Sequence, residues 1–495
     1  MIALRSRVSL LLAAGLLAAP AAASPPAPDG LDATVAALVA GSKVNPACVG
    51  VAVLDPATGE VLADHRGSAS ILPASCLKVA TTAAALTSLG ADFDLVTRLL
   101  AVPPSRKPDP TAVSGDLWLV GRGDPGFSEH GPEGSTVAAM DAFARQAAAK
   151  GIRSVGGDLV FDASWFDGPR VHPTWTDAGA SARWFAAEVD ALTANDGCVD
   201  VLVEPGDGPG SAGRVSCEPA TSVVTLLNRV TTTASRKEHG FGFRLAADAN
   251  DLEVYGQVWT KSNGARSPAA IHDPALLCAD QVGRALARAG IRVCGVVRRA
   301  REGEAPPEGV ALLAEHSTPL RLACAVANTR SQNLWAETVL RVLGAARKGE
   351  GSFTAGAAAV REALAAAGPE IAASLRPVDG SGLSRDNAAS ALAMARILAF
   401  TWRSPQRDAF FGGMAKPGEG TLDDRFLEKR FEGRVFAKTG TLRGVSGLVG
   451  LAVAHDGRSR VFAVLGEGVD VGRCRRLQDD LVSTLVGSPP ATLRR

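Results

Sequence analysis

Eleven residues without a charge, Val79 to Leu89, follow directly on Lys78. An alanine-rich stretch with no charged face reads as a helix covered by protein on all sides, so the rest of the chain must wrap around it. The lysine at its head then needs a chemical reason. An unpaired buried ammonium is prohibitively costly, so Lys78 is either paired with polar groups or neutral, and a lysine of depressed pKa is a general base. Ser75 stands three positions earlier in Leu72-Pro-Ala-Ser-Cys-Leu-Lys78. Residues three apart on a helix share a face, so the pattern predicts the amine beside the Ser75 hydroxyl. That arrangement makes a weak alcohol nucleophile useful.

Two later segments turn the pair into a site. Ser331-Gln332-Asn333 lies between the apolar run Leu320 to Val326 and the helical pattern Leu334 to Leu343. Lys438-Thr439-Gly440 ends the strand-like Gly433 to Ala437. Singly, each has a bland reading: Ser75 and Ser331 as helix caps, Lys438-Thr-Gly as a hairpin turn with a solvated lysine. Together they must explain a buried lysine and an ordered triple, and there the bland readings fail. Serine-x-x-lysine, serine-x-asparagine and lysine-threonine-glycine, in this order, are the signature of the penicillin-recognising serine enzymes.

At 495 residues the chain exceeds one ordinary core. A helix is expected from Leu31 to Val39, then two strands at Val49 to Leu54 and Asp55 to Leu62, then the catalytic helix. A mostly helical stretch follows Ser331 to about Trp402, then strands near 433 to 437, 445 to 454 and 460 to 465, and a last helix from Arg473 to Leu485. Strands at both ends with helices between imply one antiparallel sheet closed by the two termini. Ser75 and Ser331 are 256 positions apart, far more than one helical layer needs. The short alternating runs between them (116 to 120, 157 to 161, 199 to 203, 222 to 227) are read as an insertion, residues 101–311, forming two small β-rich domains. Pro103 to Pro110 and Glu302 to Gly309 are its stalks, and residues 24–100 and 312–495 make the catalytic domain. The insertion carries a decoy: Gly121-Arg-Gly123-Asp-Pro-Gly126 fits a dinucleotide fingerprint, but Asp124-Pro125 blocks helix entry and sets a negative charge where pyrophosphate would sit.

Arg5 and Arg7, the apolar run Val8 to Ala19 and Pro20-Ala-Ala-Ala23-Ser24 read as a signal peptide over residues 1–23. Its apolar run is shorter than the roughly 20 residues needed to span a bilayer. No other segment is long and apolar enough to cross, and a formal net charge of +1 offers nucleic acid or an anionic membrane no basic face. Periplasmic localisation follows if the cell has an outer membrane; otherwise the protein is secreted or wall-associated. In an exported chain with eight cysteines, the short-range pairs Cys198 with Cys217 and Cys278 with Cys294 are the expected disulfides. Seven scattered histidines and no C-x-x-C give no metal set, so no cofactor is expected.

The chain resembles the low-molecular-mass class C penicillin-binding proteins, D-alanyl-D-alanine carboxypeptidases and endopeptidases of the bacterial envelope. The likeness spans nearly the whole mature chain. Besides the three motifs it rests on Gly115 to Pro125, Asp162-x-x-x-Phe166 with Trp175, Ala187 to Asn195, Val378 to Asn387, and the long insertion itself. Gln332, where the family commonly has aspartate, and Cys76 beside the nucleophile are departures. The resemblance implies an α/β (α+β) fold of the penicillin-binding/β-lactamase type, an antiparallel sheet flanked by helices with the two inserted domains. It implies Ser75 as nucleophile, Lys78 as its base, Ser331 as proton relay, Asn333 as orienting amide and Lys438 as source of positive potential. Thr439, Gly440 and Thr441 are implied as the substrate-binding edge, with the N–H groups of Ser75 and Thr441 holding the oxyanion. The implied partners are peptidoglycan stem peptides, with β-lactams as covalent inhibitors. Rival readings are a β-lactamase, which needs a dedicated deacylating base, and a non-catalytic peptidoglycan-binding or β-lactam-sensing protein.

Overall fold

The computed structural model describes residues 30–102, 111–175 and 182–487. The proposed signal peptide and the Pro103 to Pro110 stalk lie outside them. The expected sheet is present with five antiparallel strands, in the spatial order Val435–Leu442, Val445–Val453, Ser459–Glu467, Val49–Leu54, Val61–His65. The chain ends meet at its centre, where Val49 pairs with Gly466 and Leu54 with Val461. Val445–Val453 and Val49–Leu54 are buried on both faces, which explains their continuous apolar sequence without polar alternation.

Helices cover both faces. Leu31–Gly41 and Val471–Val486 set Leu31, Val35, Leu477, Leu481 and Leu485 against one side. On the other side lies Lys78–Leu89, buried from Lys78 to Leu86, with Leu320–Thr329, Asn333–Lys348, Phe353–Leu364 and Ala391–Trp402 packed around it. Its alanines explain this central place: small side chains on every face let four helices approach closely.

Asp94–Ala101 and Ala311–Pro319, the strands at the two ends of the expected insertion, pair with each other, Asp94 opposite Pro319. They belong to a five-stranded sheet with Leu117–Arg122, Leu159–Asp162 and Val297–Arg299. Two helices, Thr136–Ala149 and Pro274–Arg288, join this unit. Nested within it are two three-stranded sheets built from residues 198 to 270, with a separate core of Val199, Val201, Val203, Leu252, Val254 and Val258.

The expected disulfides are not formed; all eight cysteines are free. Cys217 pairs in register with Val201, three residues along the strand from Cys198. At about 3.3 Å per residue that offset is near 10 Å, beyond disulfide reach. Cys278 is buried in its helix while Cys294 is exposed. The decoy loop has a packing role: Asp124, buried, accepts hydrogen bonds from Thr318 Oγ1 (2.6 Å) and Gly126 N–H (2.9 Å) and pairs with His316 (2.5 Å). Its glycines admit close neighbours, since a Cβ on Gly121 would lie 2.5 Å from the Ala191 carbonyl oxygen.

Candidate active site

Ser75 sits in a single 3-10 turn, Ala74–Leu77, that feeds the helix Lys78–Leu89 rather than on that helix itself. The turn is entered through Ala74 in the left-handed region, φ 47°. Such a conformation costs a non-glycine residue about 1–3 kcal/mol and persists only where its surroundings impose it. Here two glycines press on it. A Cβ on Gly440 would lie 2.7 Å from the Pro73 carbonyl oxygen and 2.9 Å from Cys76 N, and one on Gly382 would overlap the Ala74 carbonyl. Leu72 N–H is held by Glu467 Oε2 at 2.9 Å. From Ile71 to Leu86 every residue is buried except Ser75, so the strained turn leaves this one residue partly exposed.

Lys78 is 0% exposed, and its Nζ lies 3.0 Å from Ser75 Oγ, 2.7 Å from Asn333 Oδ1 and 2.7 Å from the Ser381 carbonyl oxygen. Burial, and after it the Lys438 ammonium, hold its pKa well below the usual lysine range. Lys438 is equally buried, and burial pushes it down to about 8. Its Nζ donates to Ser331 Oγ at 2.9 Å and to the Thr439 carbonyl at 2.7 Å. Ser331 does not cap the following helix. It has φ 58°, and the N-cap position belongs to Gln332, without a side-chain cap bond. Two serine hydroxyls are therefore each held by a buried lysine.

The strand Val435–Leu442 lies at the sheet edge. Ala437 N–H turns away from the sheet to donate to Ala415 at 2.9 Å. With a period of two, the N–H groups of Thr439 and Thr441 point the same way, toward the open edge beside Ser75. Thr441 is exposed and Thr439 half-buried.

One helix face organises the other wall. In Asn333–Lys348, residues Asn333, Glu337 and Arg341 recur every four positions and each grips main chain from elsewhere. Asn333 Nδ2 donates to the Phe185 carbonyl at 2.6 Å, which settles which way round its amide faces Lys78. Glu337 accepts from Gly380 and Ser381 N–H, both at 2.7 Å. Arg341, buried between Phe166 and Phe353, donates to the carbonyls of Gly351, Val189 and Asp167. Gln332 donates to Asp196 at 3.2 Å, where Trp335 Nε1 also donates at 2.8 Å.

The eight site residues expected from sequence therefore converge, Lys78, Ser75 and Asn333 by direct contact and Ser331 through Lys438, with Thr439 to Thr441 along the edge. Sequence reasoning missed Ser381, Glu337 and the Phe185 carbonyl. The run Val378 to Asn387 had been singled out without a role. Its Asp379 accepts from Trp175 Nε1 (2.9 Å), Gly382 N–H (2.8 Å), Ser384 N–H (2.6 Å) and Asn387 Nδ2 (2.8 Å), folding the segment into the turn that delivers Ser381. Glu337 was within reach of the sequence, since it follows Asn333 by one helical turn. Cys76 is buried against the Lys438 carbonyl, and burial pushes its thiol up to about 12, which leaves it inert beside the serine.

Comparison with known proteins follows this geometry. The model of the D-Ala-D-Ala carboxypeptidase 3 (S13) family matches residues 31–486. A D-alanyl-D-alanine carboxypeptidase from Actinomadura sp. (strain R39) is 32% identical over 435 residues, 85% of this chain and 77% of the relative. The D-alanyl-D-alanine carboxypeptidase DacB of Haemophilus influenzae is 25% identical over 425 residues, 83% of this chain and 84% of that protein. The crystal structure of penicillin binding protein 4 (dacB) from H. influenzae superposes with TM-score 0.76 at 22% identity, covering 92% of this chain and 99% of that one. The same protein complexed with a β-lactam gives TM-score 0.70, also at 22% identity, covering 92% and 100%.

Proposed function

The chain belongs to the D-Ala-D-Ala carboxypeptidase 3 (S13) family and is a serine-type DD-peptidase, and from that premise we propose how its residues divide the work. The observation that carries the assignment is the pair of buried lysines, each bonded to one serine hydroxyl. The stem peptide lies along Thr439 to Thr441 with its terminal carboxylate on the Thr439 and Thr441 hydroxyls, drawn there by Lys438. Neutral Lys78 takes the Ser75 proton as Oγ bonds to the carbonyl carbon between the two D-alanines. The oxyanion is held by the N–H groups of Ser75 and Thr441, each such donor worth a factor of about 10² to 10³ in rate. Collapse breaks the C–N bond, and the departing amine receives a proton relayed through the Ser331 hydroxyl, which passes on its own proton as it takes one from the Lys438 ammonium that donates to it. Water then hydrolyses the ester. With free D-alanine leaving, the enzyme trims stem peptides; with a neighbouring stem's side-chain amine leaving, the same steps open a cross-link. β-Lactams acylate Ser75 by the first half of this sequence.

The β-lactamase alternative needs a carboxylate free to activate water. The two carboxylates nearest Lys78 in this arrangement, Glu337 and Asp379, have both oxygens occupied by N–H donors. They hold the main chain and are not available as a base.

The test is D-alanine release from a stem pentapeptide across pH. kcat/KM is expected to rise as Lys78 loses its proton, at a pH well below that of a free lysine, and to fall with an apparent pKa of about 8 as Lys438 loses its charge. A rate that keeps climbing to pH 10 would remove Lys438 from carboxylate recognition.

We propose further that residues 1–23 are a cleaved export signal, that the mature chain works in the periplasm or at the cell wall, and that 101–311 is an insertion in the peptidase domain. The described residues contain no helix long and apolar enough to cross a membrane. N-terminal sequencing of protein from the cell envelope should begin near Ser24; a chain starting at Met1 would refute cleavage.

A further inference from the structure

A neutral amine carries two N–H donors and one lone pair, and Lys78 Nζ has three partners: Asn333 Oδ1 and the Ser381 carbonyl at 2.7 Å and Ser75 Oγ at 3.0 Å. Two of the three, the amide oxygen and the carbonyl oxygen, can only accept. They take both N–H groups, and the lone pair is left for the one partner with a proton to give, Ser75. The base is therefore aimed by its two acceptors, and the aim is as good as their placement. Asn333 is placed by the Phe185 carbonyl, which takes its amide N–H at 2.6 Å.

Ser381 lies in the turn that Asp379 folds, flanked by Gly380 and Gly382. The main-chain N–H groups of Gly380 and Ser381 themselves are held by Glu337, 0% exposed, whose two oxygens each accept one of them at 2.7 Å. Thr81 Oγ1 holds the Gly380 carbonyl at 2.8 Å from the catalytic helix. Gly380 packs so closely on the helix of Glu337 that a Cβ would lie 2.7 Å from the Ala336 carbonyl oxygen. Asn333 and Glu337 are one turn apart on that helix, so one rigid element sets both acceptors of the amine.

We propose that Glu337 is a positioning residue: its two-pronged grip on the Gly380 and Ser381 N–H groups aims the Ser381 carbonyl at Lys78 and so turns the lysine lone pair onto Ser75. In the step it serves, the Ser75 proton passes to that lone pair, Oγ bonds to the carbonyl carbon, and the carbonyl π electrons move onto oxygen. The proposal rests on the serine-peptidase assignment above. It adds a residue that touches neither substrate nor nucleophile.

The test is the acylation of the full mature chain by a fluorescent penicillin, separating the pre-covalent dissociation constant from the acylation rate constant, in wild type, Glu337→Gln and Glu337→Asp. Glutamine offers one acceptor oxygen and sets an NH₂ against the other main-chain N–H; aspartate keeps both oxygens with shorter reach. For folded Glu337→Gln the acylation rate constant is expected to fall about 100-fold, the scale of an ångström-level misplacement, with the dissociation constant unchanged. Glu337→Asp is expected to recover about tenfold of that loss. A rate constant within threefold of wild type in Glu337→Gln overturns the proposal. So does weakened binding in proportion to slower acylation in both variants, the signature of a general loss of structure. If Glu337→Gln does not fold, Glu337→Asp decides by the same criteria. A wild-type chain that forms no Ser75 adduct would instead refute the acyl-enzyme reading on which the proposal stands.

Discussion

Ser75→Ala is expected to abolish the penicillin adduct and lower D-alanine release by about 10⁵-fold or more, the scale seen when a serine nucleophile that acts as a unit with its base is removed. The fold should survive. Lys78 keeps Asn333 and Ser381 as partners, and alanine is tolerated in a turn whose preceding residue is already alanine. Intact-protein mass spectrometry after incubation with penicillin, with peptide mapping, reads the adduct directly. An adduct that persists in the variant would place the nucleophile elsewhere and undo the assignment of all three motifs.

Lys78→Met comes next in size. Methionine matches the length and apolar stem of lysine and has no basic nitrogen, so the variant leaves the hydroxyl in place and deletes its proton acceptor. Acylation should slow by about 10² to 10⁴, the usual contribution of a positioned general base. The acid limb of the pH profile should vanish with it, because the group whose deprotonation creates that limb is gone. Binding of the stem peptide should change little, since the Thr439 to Thr441 edge and Lys438 are untouched. Stopped-flow acylation at several pH values checks both expectations. A variant that keeps the wild-type pH limb would show that another group, Lys438 foremost, takes the serine proton.

The central sheet was legible because inner strands such as Val49–Leu54 and Val445–Val453 are apolar on both faces and the strands lie toward the two chain ends, a pattern with few alternatives. The catalytic trio was legible for a different reason: Lys78 is a charge in a place where charge is costly, and a costly residue announces a function. Two helices between residues 101 and 311 were less visible. Thr136–Ala149 and Pro274–Arg288 sit among Gly- and Pro-rich strands whose short alternation dominated the reading. The disulfides failed because proximity in sequence says little about strand register, and register sets Cys198 and Cys217 three residues out of step. Ser381 and Phe185 could not be found by residue type, because each acts through a main-chain carbonyl that every residue possesses.

From the sequence alone came the identity of the chemistry: two serines, two lysines and an asparagine in an order that points to the proposed nucleophile, base and relay, and a helix that must lie at the centre of its domain. Side-chain chemistry and burial are local properties, and local patterns carry them. The tertiary structure alone decided which way the Lys78 lone pair points, through carbonyls brought from residues 185 and 381 to within hydrogen-bond reach of residues 333 and 78. Direction at a reacting atom depends on main-chain groups distant in the chain, and only the folded packing of Asn333 and Glu337 on one rigid helix brings them together.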